Sequence, residues 1–191
     1  MAFRKIRQMG DDILRKKAKP VLAFDAALHS LLEDMWGTMR HFDGLGMAAP
    51  QIGKLRRIVI IEMDDEIYEV INPVILDTRG NGVKTEACLS VPNKQGEVER
   101  PDYLRLEAVD RYGEPYILET EDDMLSTALC HEIDHLDGVL FIDKASKIKD
   151  RPPDEEVKNV KNEAKAKRKE RKGQRKKTKI IRGGQIAAGG H

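Results

Sequence analysis

The chain is poor in cysteine, has no long apolar run, and carries almost no net charge. Two cysteines in 191 residues, Cys88 and Cys130, are too few for a disulfide scaffold. A reducing, cytoplasmic setting is therefore expected, in which thiols serve as metal ligands, nucleophiles or packing groups. No apolar stretch approaches the roughly 18–20 residues of a membrane-spanning helix. The polar residues 1–10 lack the apolar centre of a signal peptide, so no membrane partner is expected. The formal net charge is only +1, from 34 Lys and Arg against 33 Asp and Glu. Taken alone, that balance argues against a polyanionic partner.

The balance conceals a partition. Residues 1–143 carry 17 basic and 27 acidic residues, a net of −10, whereas residues 144–191 carry 17 and 6, a net of +11. Hydrophobic residues make up 40% and charged residues 35%, enough for one packed domain with a charged appendage. The composition shifts after Pro152-Pro153. Residues 154–172 are almost all Ala, Glu, Lys, Arg and Asn, which suits a solvated helix but cannot bury itself. Residues 174–182 are basic, and 183–191 are rich in Gly and Ala, which predicts flexibility. The expected organisation is a folded domain over 1–150 and a basic, partly helical then flexible tail over 151–191.

Within the body, residues 11–19 read as a short helix stopped by Pro20. Residues 25–41 read as a longer one, with Asp25 as its cap and Leu28, Leu31, Leu32, Met35, Trp36 and Met39 on one face. Strand-like runs follow at 57–63, 68–76, 104–109 and 116–119, the last two joined by a turn at Arg111-Tyr112-Gly113. Helical spacing returns over 123–136 with Met124, Leu125, Ala128, Leu129, Ile133 and Leu136. Asp122 or Asp123 is placed to cap this helix, and Gly138 to stop it. Val139–Ile142 reads as one more short strand. Because strands do not alternate with helices, the pattern predicts an α+β domain with mainly antiparallel sheets around the 123–136 helix.

That helix carries the strongest chemical signal, His131-Glu132-Ile133-Asp134-His135. Histidines at i and i+4 share one helix face and can reach one metal ion, leaving Glu132 free as a base and then an acid. Composition alone gives about 0.01 chance matches to this pattern in the chain. Two histidines leave a catalytic site one ligand short. Asp137 and Asp143 lie downstream without a surrounding motif. Cys88, in Glu86-Ala87-Cys88-Leu89-Ser90, offers a thiolate suited to Zn²⁺ or Fe²⁺, although a lone cysteine is ordinarily a small buried hydrophobe. A third feature is Gly44-Leu45-Gly46-Met47-Ala48-Ala49-Pro50-Gln51. Its small residues let backbone approach a ligand, and the Gln51 amide can donate to a developing oxyanion. It lacks the Lys-Ser/Thr ending of a phosphate loop.

In this order and spacing, GLGMAAPQ, EACLS and HEIDH resemble the GxGxAAxQ, EGCLS and HExxH signature of the peptide deformylases, over about residues 3–145. The resemblance implies a hydrolase that removes the formyl group from the initiator methionine of new polypeptides. Cys88, His131 and His135 would bind one divalent metal ion, natively Fe²⁺, with Zn²⁺ or Ni²⁺ able to replace it. Glu132 would shuttle the proton, and Gln51 and the Leu89 N–H would stabilise the oxyanion. The backbone of Gly44, Leu45 and Gly46 would pair with the peptide, and Arg100 would lie near the substrate. Cys130 matches no ligand position and reads as packing near the methionine pocket. Ala87 departs from the usual Gly, which would matter if that position needs positive φ or close substrate approach. Some deformylases bind the ribosome through a C-terminal extension, so the basic tail is expected to contact ribosomal RNA. Two other classes fit parts of the sequence: a zinc protease, and a nucleic-acid-binding module with a vestigial motif.

Overall fold

A computed structural model describes residues 3–151 and 178–182. After a 3₁₀ turn at Asp12–Arg15 come helix α1 (Ala26–His41), strand β1 (Gly46–Ala48), a 3₁₀ turn at Ala49–Ile52 and strands β2 (Ile58–Met63) and β3 (Glu66–Arg79). Strands β4 (Gly82–Cys88), β5 (Val91–Arg100), β6 (Tyr103–Val109) and β7 (Pro115–Thr120) follow, then helix α2 (Asp123–Leu136). A 3₁₀ turn at Phe141–Asp143, β8 (Lys147–Asp150) and β9 (Thr178–Arg182) complete the described elements. The strands form one sheet of order β1-β2-β3-β6-β7-β9 and a smaller one of order β4-β5-β8. All of these pairings are antiparallel, as the α+β reading predicts.

Both long helices start where a carboxylate can cap them. Asp25 accepts from the Leu28 amide at 3.0 Å, and Asp122 accepts from the amides of Met124 and Leu125 at 2.9 and 3.1 Å, relieving two of the unpaired donors of the first turn. On α2, Leu125, Leu129, Ile133 and Leu136 pack with Val59, Ile61, Val70, Leu104, Leu106 and Leu118 of the large sheet. Burying each such side chain contributes about 1.5–3 kcal/mol, and together they hold α2 against the sheet. The chain leaves α2 through Gly138 at φ +75°, where a Cβ would lie 2.6 Å from the Arg15 carbonyl oxygen. On the other side of the sheet α1 buries Leu28, Leu32, Met35, Trp36 and Met39 against Met47, Ile52, Ile58, Ile60 and Ile71.

Three segments differ from expectation. Residues 11–19 form only one 3₁₀ turn, because Lys16 is extended and the Ala18 and Lys19 amides bond to Leu136 and Leu55 carbonyls at 2.8 and 3.0 Å instead of continuing a helix. Residues 139–142 enter a 3₁₀ turn rather than a strand, with buried Phe141 as the anchor and the Asp143 carboxylate accepting from the Leu140 amide at 2.8 Å. Thr178–Arg182, within the stretch read only as basic, forms edge strand β9 on β7. Thr178 bonds to Thr120 at 3.1 Å, and Arg182 pairs with Asp110 at 2.6 Å while lying over the Tyr116 ring. The helix expected over 154–172 and the flexible end over 183–191 lie outside the described residues.

Candidate metal centre

Strand β4 delivers Cys88 at a register shift between Ala87 and Cys88 against β5, and α2 delivers His131 and His135 one turn apart. The three side chains are buried, and one ligand atom from each lies within 4.8 Å of the others. Cys88 Sγ sits 3.2 Å from His135 Nε2 and accepts from the Ser90 amide at 3.4 Å. A thiol and two imidazoles converging in this way form a donor set suited to a divalent transition metal.

The surroundings fit such an ion. His131 Nδ1 meets Glu86 Oε2 at 2.7 Å, which fixes the ring and leaves its other nitrogen to face Cys88 and His135. Glu86 is gripped in turn by Arg100, Nε to Oε1 at 2.5 Å and Nη2 to Oε2 at 3.0 Å. Arg100 Nη1 reaches Asp134 at 2.7 Å, whose other oxygen accepts from Lys144 at 2.7 Å. Burial would raise the Glu86 carboxyl, but hydrogen bonds from His131 and Arg100 outweigh it and hold the carboxyl at about 2. For His135, burial and then the charge of His131 hold the ring neutral, the state a ligand requires.

Glu132 lies beside the ligands with Oε2 lacking a hydrogen-bond partner, as does Nδ1 of His135. A buried polar atom of this kind is costly unless something else satisfies it. Burial pushes the Glu132 carboxyl up to about 7, with His131 acting against the shift and Glu86 acting with it. Gly46 makes room for this carboxyl: a Cβ there would lie 2.9 Å from Glu132 Oε1. Gln51 is buried, its Oε1 accepting from the Ala48 amide at 2.7 Å. That bond aims Nε2 at Cys88 Sγ (3.4 Å) and Ser90 Oγ (3.3 Å). Leu89 follows Cys88, and a Cβ at Gly44 would touch its side chain at 3.4 Å. Leu45, just before β1, is exposed.

The three sequence segments thus meet at one place, with one departure. Arg100 does not face a substrate surface. It is only 3% exposed, and its guanidinium is taken up by Glu86 and Asp134 behind His131. Cys130 lies in the buried cluster that α2 forms with the large sheet, and burial raises its thiol to about 11, in keeping with its reading as a packing group rather than a ligand. Ala87 is exposed and is not among the residues of positive φ, so its methyl group brings no backbone strain. The motifs alone did not single out Glu86, Asp134 or Ser90 as supporting groups. The signal for Glu86 was present, since a ligating histidine needs a partner for its second ring nitrogen.

Comparison with known proteins identifies the family. The sequence model of the family described as polypeptide deformylase matches residues 3–151. A peptide deformylase of Caldicellulosiruptor bescii is 52% identical over 144 residues, covering 75% of this chain and 86% of that protein. Peptide deformylase 1 of Clostridium acetobutylicum is 49% identical over 144 residues, covering 75% and 95%. The crystal structure of the Thermotoga maritima peptide deformylase superposes with a TM-score of 0.74 at 38% identity, covering 77% of this chain and all of that one. A Met-Ala-Ser-bound class I type b peptide deformylase of Acinetobacter baumannii gives a TM-score of 0.71 at 30% identity, covering 75% and 98%. The chain belongs to the peptide deformylase family, metal-dependent enzymes that remove the formyl group from nascent peptides.

Proposed function

We propose that Cys88, His131 and His135 hold one divalent ion, natively Fe²⁺ and replaceable by Zn²⁺ or Ni²⁺, and that the surrounding residues deformylate N-formylmethionyl peptides. The observation that carries this reading is the convergence of three buried ligand atoms beside a buried carboxylate with a partnerless oxygen. A cation bound there supplies Lewis acidity and makes coordinated water easier to deprotonate. Glu132 would take up the proton of the attacking water and return it to the leaving amine, from a position where its Oε2 has no other partner. The Gln51 amide and the Leu89 N–H donate to the oxyanion that develops on the formyl oxygen. Gln51 costs little reorganisation because Ala48 already fixes its orientation. The backbone of Gly44, Leu45 and Gly46 receives the peptide as an added strand, β1 being the edge of its sheet. That the Acinetobacter relative binds Met-Ala-Ser supports a methionyl peptide as the product.

Residues 1–150 act as the catalytic domain in this reading and 151–191 as a basic appendage that contacts ribosomal RNA in the cytoplasm. Among the described residues no helix is long and apolar enough to cross a membrane. Glu132→Gln should keep the metal and lose deformylation of formyl-Met-Ala-Ser by at least about a hundredfold. Near-normal activity would remove Glu132 from the proton transfer. For the tail, Lys and Arg between 158 and 177 changed to Gln spare β9, and this variant should bind ribosomes more weakly and with a flatter salt dependence.

A further inference from the structure

Near the proposed peptide edge the chain exposes more apolar surface than a solvated turn needs. Phe3 is 65% exposed, Phe42 44% and Leu45 43%. The Phe3 ring stacks on His41 at 4.6 Å between centroids, and His41 meets Phe42 edge-on at 4.9 Å. This row is held in place. The Arg4 amide donates to Thr38 Oγ1 at 3.0 Å, and its guanidinium pairs with buried Asp34 at 2.6 Å, so Phe3 is pinned beside the end of α1. Gly44 and Asp43 donate back to the Met39 and Arg40 carbonyls at 2.9 and 3.1 Å, and the Leu45 carbonyl accepts from Glu62 at 2.9 Å. Arg40 is directed to Glu62 and over the Trp36 ring, which leaves the row aromatic in character. Rigid exposed aromatics of this kind are typical contact anchors.

We propose that Phe3, His41, Phe42 and Leu45 form an extended subsite for apolar side chains of the nascent peptide at about the fourth and fifth residues. The inference rests on the reading of β1 as the peptide-binding edge. Burial sets the direction. Ala48 and Met47 are fully buried and Leu45 is exposed. A peptide whose formylated end sits at the buried centre therefore runs outward along β1, antiparallel to it, towards Leu45 and the turn to Phe42. An extended chain advances about 3.3 Å per residue, so residues one to three lie along Gly46, Leu45 and Gly44, and those following reach the aromatic row. The occupant is the substrate itself, because the turn that carries Phe42 leads directly into Leu45 and β1 and is tied to the end of α1 by the Gly44 amide on the Met39 carbonyl.

The test compares formyl-Met-Ala-Ala-Phe-Leu with formyl-Met-Ala-Ala-Ser-Ser on the metal-loaded, full-length protein. The apolar peptide should show about fivefold higher kcat/KM, through lower KM. Phe3→Ser/Phe42→Ser should bring the ratio near one, and Phe42→Leu should keep most of it. Equal kcat/KM for the two peptides in the parent protein, or an unchanged ratio in the double variant, overturns the subsite. Failure of the underlying edge reading shows separately, as an unchanged kcat/KM when the alanine amide of formyl-Met-Ala-Ser is N-methylated.

Discussion

Gly46 shows how one missing methyl group serves chemistry rather than fold. Its backbone sits in ordinary β1, so the need for glycine comes from Glu132, whose Oε1 would lie 2.9 Å from a Cβ. Gly46→Ala should displace the carboxyl without disturbing the ligands. Metal content should stay the same while kcat falls by about 10–100-fold, measured on formyl-Met-Ala-Ser with metal analysis of the same sample. Glu86 serves the centre from the other side. Glu86→Ala leaves Arg100 buried with only Asp134, which should cost about 3–5 kcal/mol of stability and about 10–100-fold in metal affinity. Adding Arg100→Met should restore much of the stability but not the affinity, since the His131 ring stays unsupported. Recovery of both would mean that Glu86 acts only as a counter-ion. A third carboxylate, Glu69, gives a pH signature. Burial would raise it, but hydrogen bonds from Arg111 and Trp36 prevail and hold it below its ordinary 4.5. A depressed folded value contributes stability above that pH and loses it as pH falls through the folded value. The parent should therefore lose thermal stability below about pH 4.5 more steeply than Glu69→Gln, as melting scans across pH 3–6 would show.

At the scale of elements, what could be read in advance depended on where the partners lie. Helices α1 and α2 were legible because their apolar residues repeat at three and four and their caps are adjacent in sequence. Cys88, His131 and His135 were legible for a different reason, as members of motifs. The residues behind them were not, because the Arg100–Glu86 and Arg100–Asp134 pairs join β5 to β4 and α2 across distances that no local period marks. Strands β4 and β5 escaped notice because polar residues such as Lys84, Thr85, Asn93 and Lys94 dominate them, and cross-strand pairing rather than propensity makes them strands. The helix expected at 11–19 failed for the same cause, since its amides found carbonyls elsewhere in the fold. Caps are testable at this scale. Asp122→Ala removes an acceptor from two amides of α2 and should cost about 0.5–2 kcal/mol by denaturant melting, with metal stoichiometry unchanged.

Across the whole molecule, β9 changes the meaning of the charge partition. The acidic body and the basic segment looked like a domain and a free tail. Yet Thr178–Arg182 returns to the large sheet and covers the β7 edge, an edge that would otherwise offer unpaired amides and carbonyls to other chains. The segment 152–177 is therefore tied to the body at both ends. A linked strand meets its partner at a higher effective concentration than a free one. A single cut introduced between residues 165 and 166 should make the pairing bimolecular and release β9 at micromolar protein. Hydrogen exchange would then show protection lost at the β7 amides that face β9, while β2 and β3 keep theirs. Protection of β7 that survives the cut would mean that Ile180, Ile181 and the Arg182–Asp110 pair hold the strand without the tether.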